Sequence, residues 1–230
     1  MNLKQLLRDF ADLLFPRCCE SCDRVLQGNE AAICTQCRIT LPRVGPNGLN
    51  SDLLQFKFVN LPEVLSTHSF LLFTKRSKVQ KLLHALKYKG NKEVGILLGQ
   101  MFGQELKVSG HLPEAEIILS IPLHPKKRKQ RGYNQSDLLA EGFSKATGIP
   151  WSGTMLERTR YTATQTGKSK LERRENVQGV FAVKQGFHPE SAILIDDVLT
   201  TGATLEECAR TLLSTGCRRF YILTIALAQH

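Results

Sequence analysis

Residues 193–204 read Ile193-Leu194-Ile195-Asp196-Asp197-Val198-Leu199-Thr200-Thr201-Gly202-Ala203-Thr204. The aliphatic run from Ala192 to Ile195 asks for a buried strand. Two adjacent carboxylates end it, and a Thr-Thr-Gly-Ala-Thr turn opens directly into a helix. That helix carries Leu205, Cys208, Ala209, Leu212 and Leu213 on one face and stops at Gly216. In an open α/β sheet, ligands bind at the carboxyl ends of strands. A helix start supplies free backbone N–H groups and the positive end of a dipole. Gly202 would let the backbone approach an anion, and Thr200, Thr201 and Thr204 add hydroxyls, so residues 200–204 form a cradle for one phosphate. A merely well-capped helix would explain one Thr and one Asp. It does not explain two consecutive carboxylates beside an anion site that they repel. A ligand carrying hydroxyls next to its phosphate explains both features.

Outward from this segment, apolar runs alternate with amphipathic ones. Ser69–Phe73, Ile117–Ile121 and Phe220–Leu227 read as strands, and Phe181–Val183 as an edge strand. Leu82, Leu83 and Leu86, then Val94, Leu97, Leu98, Met101 and Phe102, predict two helices broken at Gly90-Asn91. A further helix is expected from about Ser136 to Thr147. Strands apolar on both faces, alternating with helices, indicate an α/β fold with a mostly parallel sheet flanked by helices.

Five of the seven cysteines crowd into residues 18–37. Cys19-x-x-Cys22 and Cys34-x-x-Cys37, eleven residues apart, have the ligand spacing of a small zinc ribbon, in which two knuckles complete one tetrahedron. Cys18 offers an alternative pairing with Cys22, but the symmetric knuckles favour Cys19. Cys208 and Cys217 stand alone, Cys208 on an apolar helix face. A Pro/Gly-rich stretch, Leu41–Gly48, reads as a linker, giving a ribbon over 1–45 and a second domain over 46–230.

The chain has 230 residues, 31 Lys plus Arg against 21 Asp plus Glu, and a net charge of +10. This excess points to phosphate-bearing partners, nucleotide or nucleic acid. At 42% hydrophobic and 23% charged, the composition excludes a disordered chain and a bundle of membrane spans. Leu3, Leu6, Leu7, Phe10, Leu13 and Leu14 form a short amphipathic pattern interrupted by Arg8, Asp9 and Asp12, not a signal peptide, so a cytoplasmic location without a membrane span is expected.

The segment around Asp196 and Asp197 resembles the phosphoribosyl-pyrophosphate (PRPP) motif of type I phosphoribosyltransferases. The cysteine knuckles, Leu86-Lys87-Tyr88-Lys89-Gly90, Ile121-Pro-Leu-His-Pro through Arg131-Gly132-Tyr133-Asn134-Gln135, Gln165-Thr-Gly and Arg173-Arg-Glu-Asn176 through Phe181 are together similar to the ComF family of competence-associated proteins, in the same order along essentially the whole chain. The extra Cys18 is the visible irregularity. The resemblance implies a type I phosphoribosyltransferase domain behind a zinc ribbon. It also implies Asp196 and Asp197 on the ribose hydroxyls, residues 200–204, Ala203 included, on the 5′-phosphate, and Mg²⁺ bound with PRPP. The family's implied role is cytoplasmic handling of single-stranded DNA during natural transformation.

Three basic segments fit this frame. Lys126, Lys127, Arg128, Lys129 and Arg131 follow the strand ending at Ile121, where the resemblance implies a pyrophosphate loop; a solvated basic loop is the plainer reading. His124 beside them reads as a loop or packing residue. Arg158, Lys168 and Arg173 belong to a stretch without apolar period, expected to be the flexible catalytic loop of the fold or a basic loop on nucleic acid. Lys75, Arg76, Lys78, Lys81, Lys87, Lys89 and Lys92, near Phe73 and Tyr88, suit single-stranded DNA or an ordinary cationic helix face. Two functions compete: a phosphoribosyltransferase whose acceptor the sequence does not name, and a non-catalytic PRPP-sensing or adaptor module. Either would hold single-stranded DNA and a protein partner of the DNA-uptake machinery.

Overall fold

The computed structural model describes residues 16–44, 54–160 and 177–228. The expected helix over residues 3–14, the linker beyond Val44, and Lys168 and Arg173 lie outside the described residues. A five-stranded sheet is built from β1 (Val64–Phe73), β2 (Ile117–Ser120), β3 (Trp151–Ser152), β6 (Ser191–Leu199) and β7 (Arg219–Ala228) in the order β1-β7-β6-β2-β3. Every neighbouring pair is parallel. β4 (Leu156–Arg158) and β5 (Phe181–Val183) form a separate antiparallel ribbon, so residues 181–183 are not an edge of the main sheet.

Alternation along the central strands sends side chains to two cores. Ile193, Ile195, Leu223 and Ile225 pack with α2 (Lys78–Tyr88), α3 (Lys92–Val108) and α5 (Gln135–Thr147). Ala192, Leu194, Phe220 and Ile222 pack with α6 (Ala203–Leu213) and with Phe58, Val177 and Phe181. Helices α3 and α5 touch through glycines: a Cβ on Gly99 would lie 2.2 Å from Leu139 O, and one on Gly142 2.0 Å from Ile96 O. The backbones approach closer than any side chain allows.

The cysteine segment shares the first core. Cys19, Leu26, Ile33, Cys37 and Leu41 are buried in the same cluster as Phe70 and Leu82. One short helix, α1 (Thr35–Thr40), follows Cys34, and residues 42–44 then hydrogen-bond along β1 (Leu72 N–H to Pro42 O, 2.9 Å). Among the described residues no helix is long and apolar enough to cross a membrane.

The central strand runs four residues past the aliphatic stretch, so Asp196 and Asp197 lie inside β6 rather than at its end. The basic segment after β2 is not a loop. Pro125–Arg131 is a short helix, α4, capped by His124, whose Nδ1 accepts from the Lys126 N–H (3.2 Å), and closed by Gly132 at φ +83°. Pro at the first helical position is pre-set for a helix start. No residue of α4 is buried, which is why an apolar period could not reveal it.

Candidate functional site

The carboxyl ends of β6 and β2 bring the predicted residues to one edge of the sheet. After β6, Thr200 to Thr204 line one recess together with Asp196. Gly202 takes φ +83°, and its left-handed backbone starts α6. Thr201 Oγ1 accepts from the Ala203 N–H (3.4 Å). The loop is braced from outside. Lys57 Nζ donates to Thr200 O (2.9 Å), and a Cβ on Gly202 would meet the Phe58 ring at 3.0 Å. The need for glycine here is therefore set by its backbone angle and by Phe58.

Period-two alternation splits the aspartates. Asp196 follows Ala192 and Leu194, whereas Asp197 follows Ile193 and Ile195. Asp196 Oδ1 accepts from Ser136 Oγ (2.9 Å) at the start of α5 and from the Asp197 N–H (2.8 Å). Burial, then the neighbouring Asp197 charge, push the Asp196 carboxyl up to about 7 against these hydrogen bonds. Asp197 has a different partner. Its Oδ2 lies 2.7 Å from Lys87 Nζ, with the two side chains 8% and 25% exposed. Burial works against the Lys87 ammonium, but the charge of Asp197 and its hydrogen bond outweigh it and hold the pKa above the ordinary value. The last turn of α2 thus reaches from the β1 side of the sheet to the end of β6.

Beyond Lys87 opens a groove of about 630 Å³, lined by Lys87, Tyr88, Lys89, Lys127, Gln130 and Arg131. Of the predicted pyrophosphate residues, Lys127 and Arg131 face it. Arg128 turns toward Asp137 (3.5 Å), and Lys126 does not line it. Burial, then the charges of Arg158, Arg131 and Lys87, lower the Lys127 pKa. Tyr88 is 69% exposed, with the Arg131 guanidinium 5.6 Å from its ring centre. The Arg131–Asn134 segment ties the groove together. Tyr133 OH donates to Leu86 O at the end of α2, Asn134 Nδ2 donates to Ile121 O (3.0 Å) and to Asp137 Oδ1 (2.8 Å), and Arg131 donates to Gln135. Arg158, expected in a mobile loop, instead ends β4 with its guanidinium 5.4 Å from the Phe181 ring centre. Burial lowers its pKa.

The four knuckle cysteines converge. One sulfur from each of Cys19, Cys22, Cys34 and Cys37 lies within 4.8 Å of the others, and Cys22 and Cys34 are 3.7 Å apart. A tetrahedron with Zn–S of ~2.3 Å has S···S edges of about 3.8 Å, so the donor set fits a zinc ion. The Cys34 N–H donates to Cys19 Sγ (3.3 Å). The hydrogen bond from Arg24 pulls the Cys22 thiol down to about 6, whereas burial lifts Cys37 to about 12. Cys18 stays outside the cluster, exposed, and donates to Pro16 O (3.5 Å). Cys208 and Cys217 are both buried.

No family model matches the chain. It is 36% identical over 141 residues to the DNA utilization protein YhgH of Salmonella typhi, covering 59% of this chain and 61% of that protein. It is 37% identical over 120 residues to Competence protein F of Haemophilus influenzae, 51% of this chain and 52% of the other. Over 202 residues it is 24% identical to Competence protein ComFC of Streptococcus pneumoniae, 84% of this chain and 87% of that one. These relatives support the resemblance to the ComF family that the sequence motifs carry. The chain's match spans about three fifths of the length of the YhgH relative (61%). Among solved structures, the chain overlaps adenine phosphoribosyltransferase of Leishmania donovani with TM-score 0.38 and 13% identity, over 69% of this chain and 83% of that one. The parallel sheet with its flanking helices is the α/β architecture expected from the sequence, and the cysteine cluster sits in its N-terminal segment.

Several residues at the edge were not assigned their contacts by the sequence. In sequence Lys87 and Lys89 belong to a basic stretch and to the Leu86–Gly90 motif, with no partner indicated, yet Lys87 meets Asp197, Lys89 pairs with Glu20 (3.0 Å) and Lys81 with Asp23 (2.5 Å). Lys57, Phe58 and Ser136 gave no signal at all. The one available hint was the Leu86–Gly90 segment, which drew notice as a family resemblance.

Proposed function

We propose that this chain acts as a ComF-like protein and binds PRPP along the carboxyl edge of its sheet. The 5′-phosphate lies on residues 200–204, the ribose hydroxyls on Asp196 and Asp197, and the pyrophosphate in the groove of Lys127 and Arg131. The observation that carries this reading is the chain of contacts from the helix-start recess, which Asp196 lines, through the Asp197–Lys87 ion pair to the groove that Lys87 lines. Each matches one part of such a ligand. Lys168 and Arg173 are the proposed closing residues.

If the chain turns PRPP over, the reaction is displacement at C1 with loss of pyrophosphate. The bond to the leaving oxygen breaks as positive charge builds on the ribose ring. The protein's part is then positioning and electrostatics. Asp196 and Asp197 fix the ring, the loop anchors its phosphate, and the groove's cations stabilise the charge on the departing group. Magnesium bound with PRPP would supply further charge neutralisation beside these carboxylates.

Single-stranded DNA is the second proposed ligand, as its handling in the cytoplasm would require. Exposed Tyr88 among Lys87, Lys89 and Arg131 supports it, because a base stacked on an aromatic ring contributes ~1–3 kcal/mol. A non-catalytic sensor or adaptor for the DNA-uptake machinery would use the same surfaces without turnover. One experiment separates these readings: PRPP and single-stranded DNA affinity with Mg²⁺, and pyrophosphate release with and without candidate acceptors, on the same sample. PRPP binding with release supports the transferase, and binding without release supports the sensor. Absence of PRPP binding removes both. DNA affinity should fall with salt at a log–log slope of about −0.7 per neutralised phosphate. A flat salt titration removes the nucleic-acid reading.

A further inference from the structure

We propose that the cysteine ribbon clamps one wall of the cationic groove through Glu20, so that metal occupancy and ligand binding are coupled. The ligand half of this inference rests on the PRPP reading above.

Glu20 lies between the first two knuckle cysteines. Its backbone N–H donates to Ala32 O (3.0 Å), so the fold of the two knuckles sets its position. Its side chain leaves the ribbon. Oε2 accepts from Lys89 Nζ (3.0 Å) and Oε1 from Asn91 Nδ2 (3.1 Å), with the side chain only 18% exposed. Lys89 caps the end of α2 and Asn91 the start of α3, with Gly90 between them at φ +74°. One carboxylate therefore grips both ends of the turn joining two helices.

That turn is part of the groove wall, and Lys87, which reaches Asp197, is two residues before Lys89. The wall is pinned on its other side by the hydrogen bond from Tyr133 OH to Leu86 O. Tyr133 follows α4; Glu20 is the ribbon's polar hold on this turn, beside the apolar core that Cys19, Ile33 and Cys37 share with Leu82. Among the described residues, the other ion pair between ribbon and α2, Asp23 to Lys81, has side chains 69% and 53% exposed and contributes little.

The coupling follows from the cysteines. Four sulfurs within 4.8 Å, joined by no disulfide, keep this spacing as thiolates only around a cation. Without it the first knuckle relaxes and Glu20 loses its fixed position. The 89–91 turn then regains freedom that any groove ligand must remove on binding. Linkage makes the effect reciprocal: a ligand that favours the ordered wall tightens metal binding by the same factor.

The test compares zinc-loaded wild type with Glu20→Ala, Glu20→Gln and Asp23→Asn, with zinc content verified by metal analysis. Asn tolerates the positive φ of position 23, so Asp23→Asn removes the exposed pair alone. Three quantities are read: amide hydrogen exchange over residues 86–91, PRPP affinity with Mg²⁺, and the rate of zinc transfer to a chelator with and without PRPP. Glu20→Ala should retain zinc, exchange faster at 89–91 and bind PRPP roughly threefold to tenfold more weakly, the range of a partly exposed charge-assisted contact. PRPP should slow zinc loss from wild type and not from Glu20→Ala. Glu20→Gln, which can still accept from Asn91, should fall between, and it serves if the alanine variant does not fold. Asp23→Asn should match wild type. Exchange over 86–91 that is unchanged in the Glu20 variants overturns the clamp. Faster exchange together with no PRPP binding by wild type leaves the clamp standing and removes the PRPP reading instead.

Discussion

Asp197→Asn separates ribose recognition from phosphate recognition. The substitution keeps the shape of a side chain that is 8% exposed and removes its charge, leaving Lys87 Nζ 2.7 Å from a neutral amide. Breaking a fully buried ion pair costs about 3–5 kcal/mol. Lys87 is 25% exposed and borders the open groove, so it can turn toward solvent, and the loss of stability should be nearer ~1–2 kcal/mol. For the ligand, the lost interaction is a charge-assisted hydrogen bond to a ribose hydroxyl. At ~1.5–3 kcal/mol, that weakens binding roughly tenfold to a hundredfold. PRPP and ribose 5-phosphate should both show it. Inorganic phosphate has no hydroxyl to offer Asp197, and one fewer negative charge beside the loop should leave its affinity equal or slightly higher. Calorimetry with the three ligands, at a temperature where thermal melts show both proteins folded, measures the contrast. If inorganic phosphate weakens as much as PRPP, or if all three ligands are unaffected, Asp197 does not hold the ribose. The Thr-Gly segment is then only a phosphate-binding helix start.

Three further outcomes are expected. The Asp196 carboxyl is raised from 3.8 to about 7, so the folded state binds the proton more tightly than the unfolded chain, and stability should fall as pH rises across that window. Asp196→Asn removes this loss, so its melting temperature relative to wild type should be higher at pH 8 than at pH 5; a pH-independent difference would contradict the raised carboxyl. Metal analysis should find one zinc per chain, retained in Cys18→Ser and lost in Cys19→Ser, because only Cys19 joins the cluster; the opposite pattern would reassign the ligand. Gly142→Ala places a Cβ 2.0 Å from Ile96 O, backbone against backbone, so α3 and α5 must separate. The cost should be about 3 kcal/mol, read as a thermal shift of several degrees, and an unchanged melt would mean that the helices cross less closely than described.

Short-range patterns in the sequence determined the parts of this protein that depend on a few consecutive residues. The aliphatic run before Asp196, the Thr-Thr-Gly turn, the helix break at Gly90-Asn91 and the two cysteine knuckles each carry their geometry within a dozen residues or so. Backbone preference and side-chain period act at that range. The short helix over 125–131 escaped because it buries nothing and so leaves no period to read, only His124 and Pro125 at its start. Tertiary structure decided which charges meet. Lys57 holds Thr200 across 143 residues of sequence, and Glu20 holds Lys89 and Asn91 across 69 and 71. Lys87 and Asp197 meet only because α2 reaches the end of β6. A lysine in a basic run looks the same in sequence whether it faces water, DNA or a buried carboxylate. Its side chain is long, its partner is chosen by the packing of distant elements, and neither leaves a local signature.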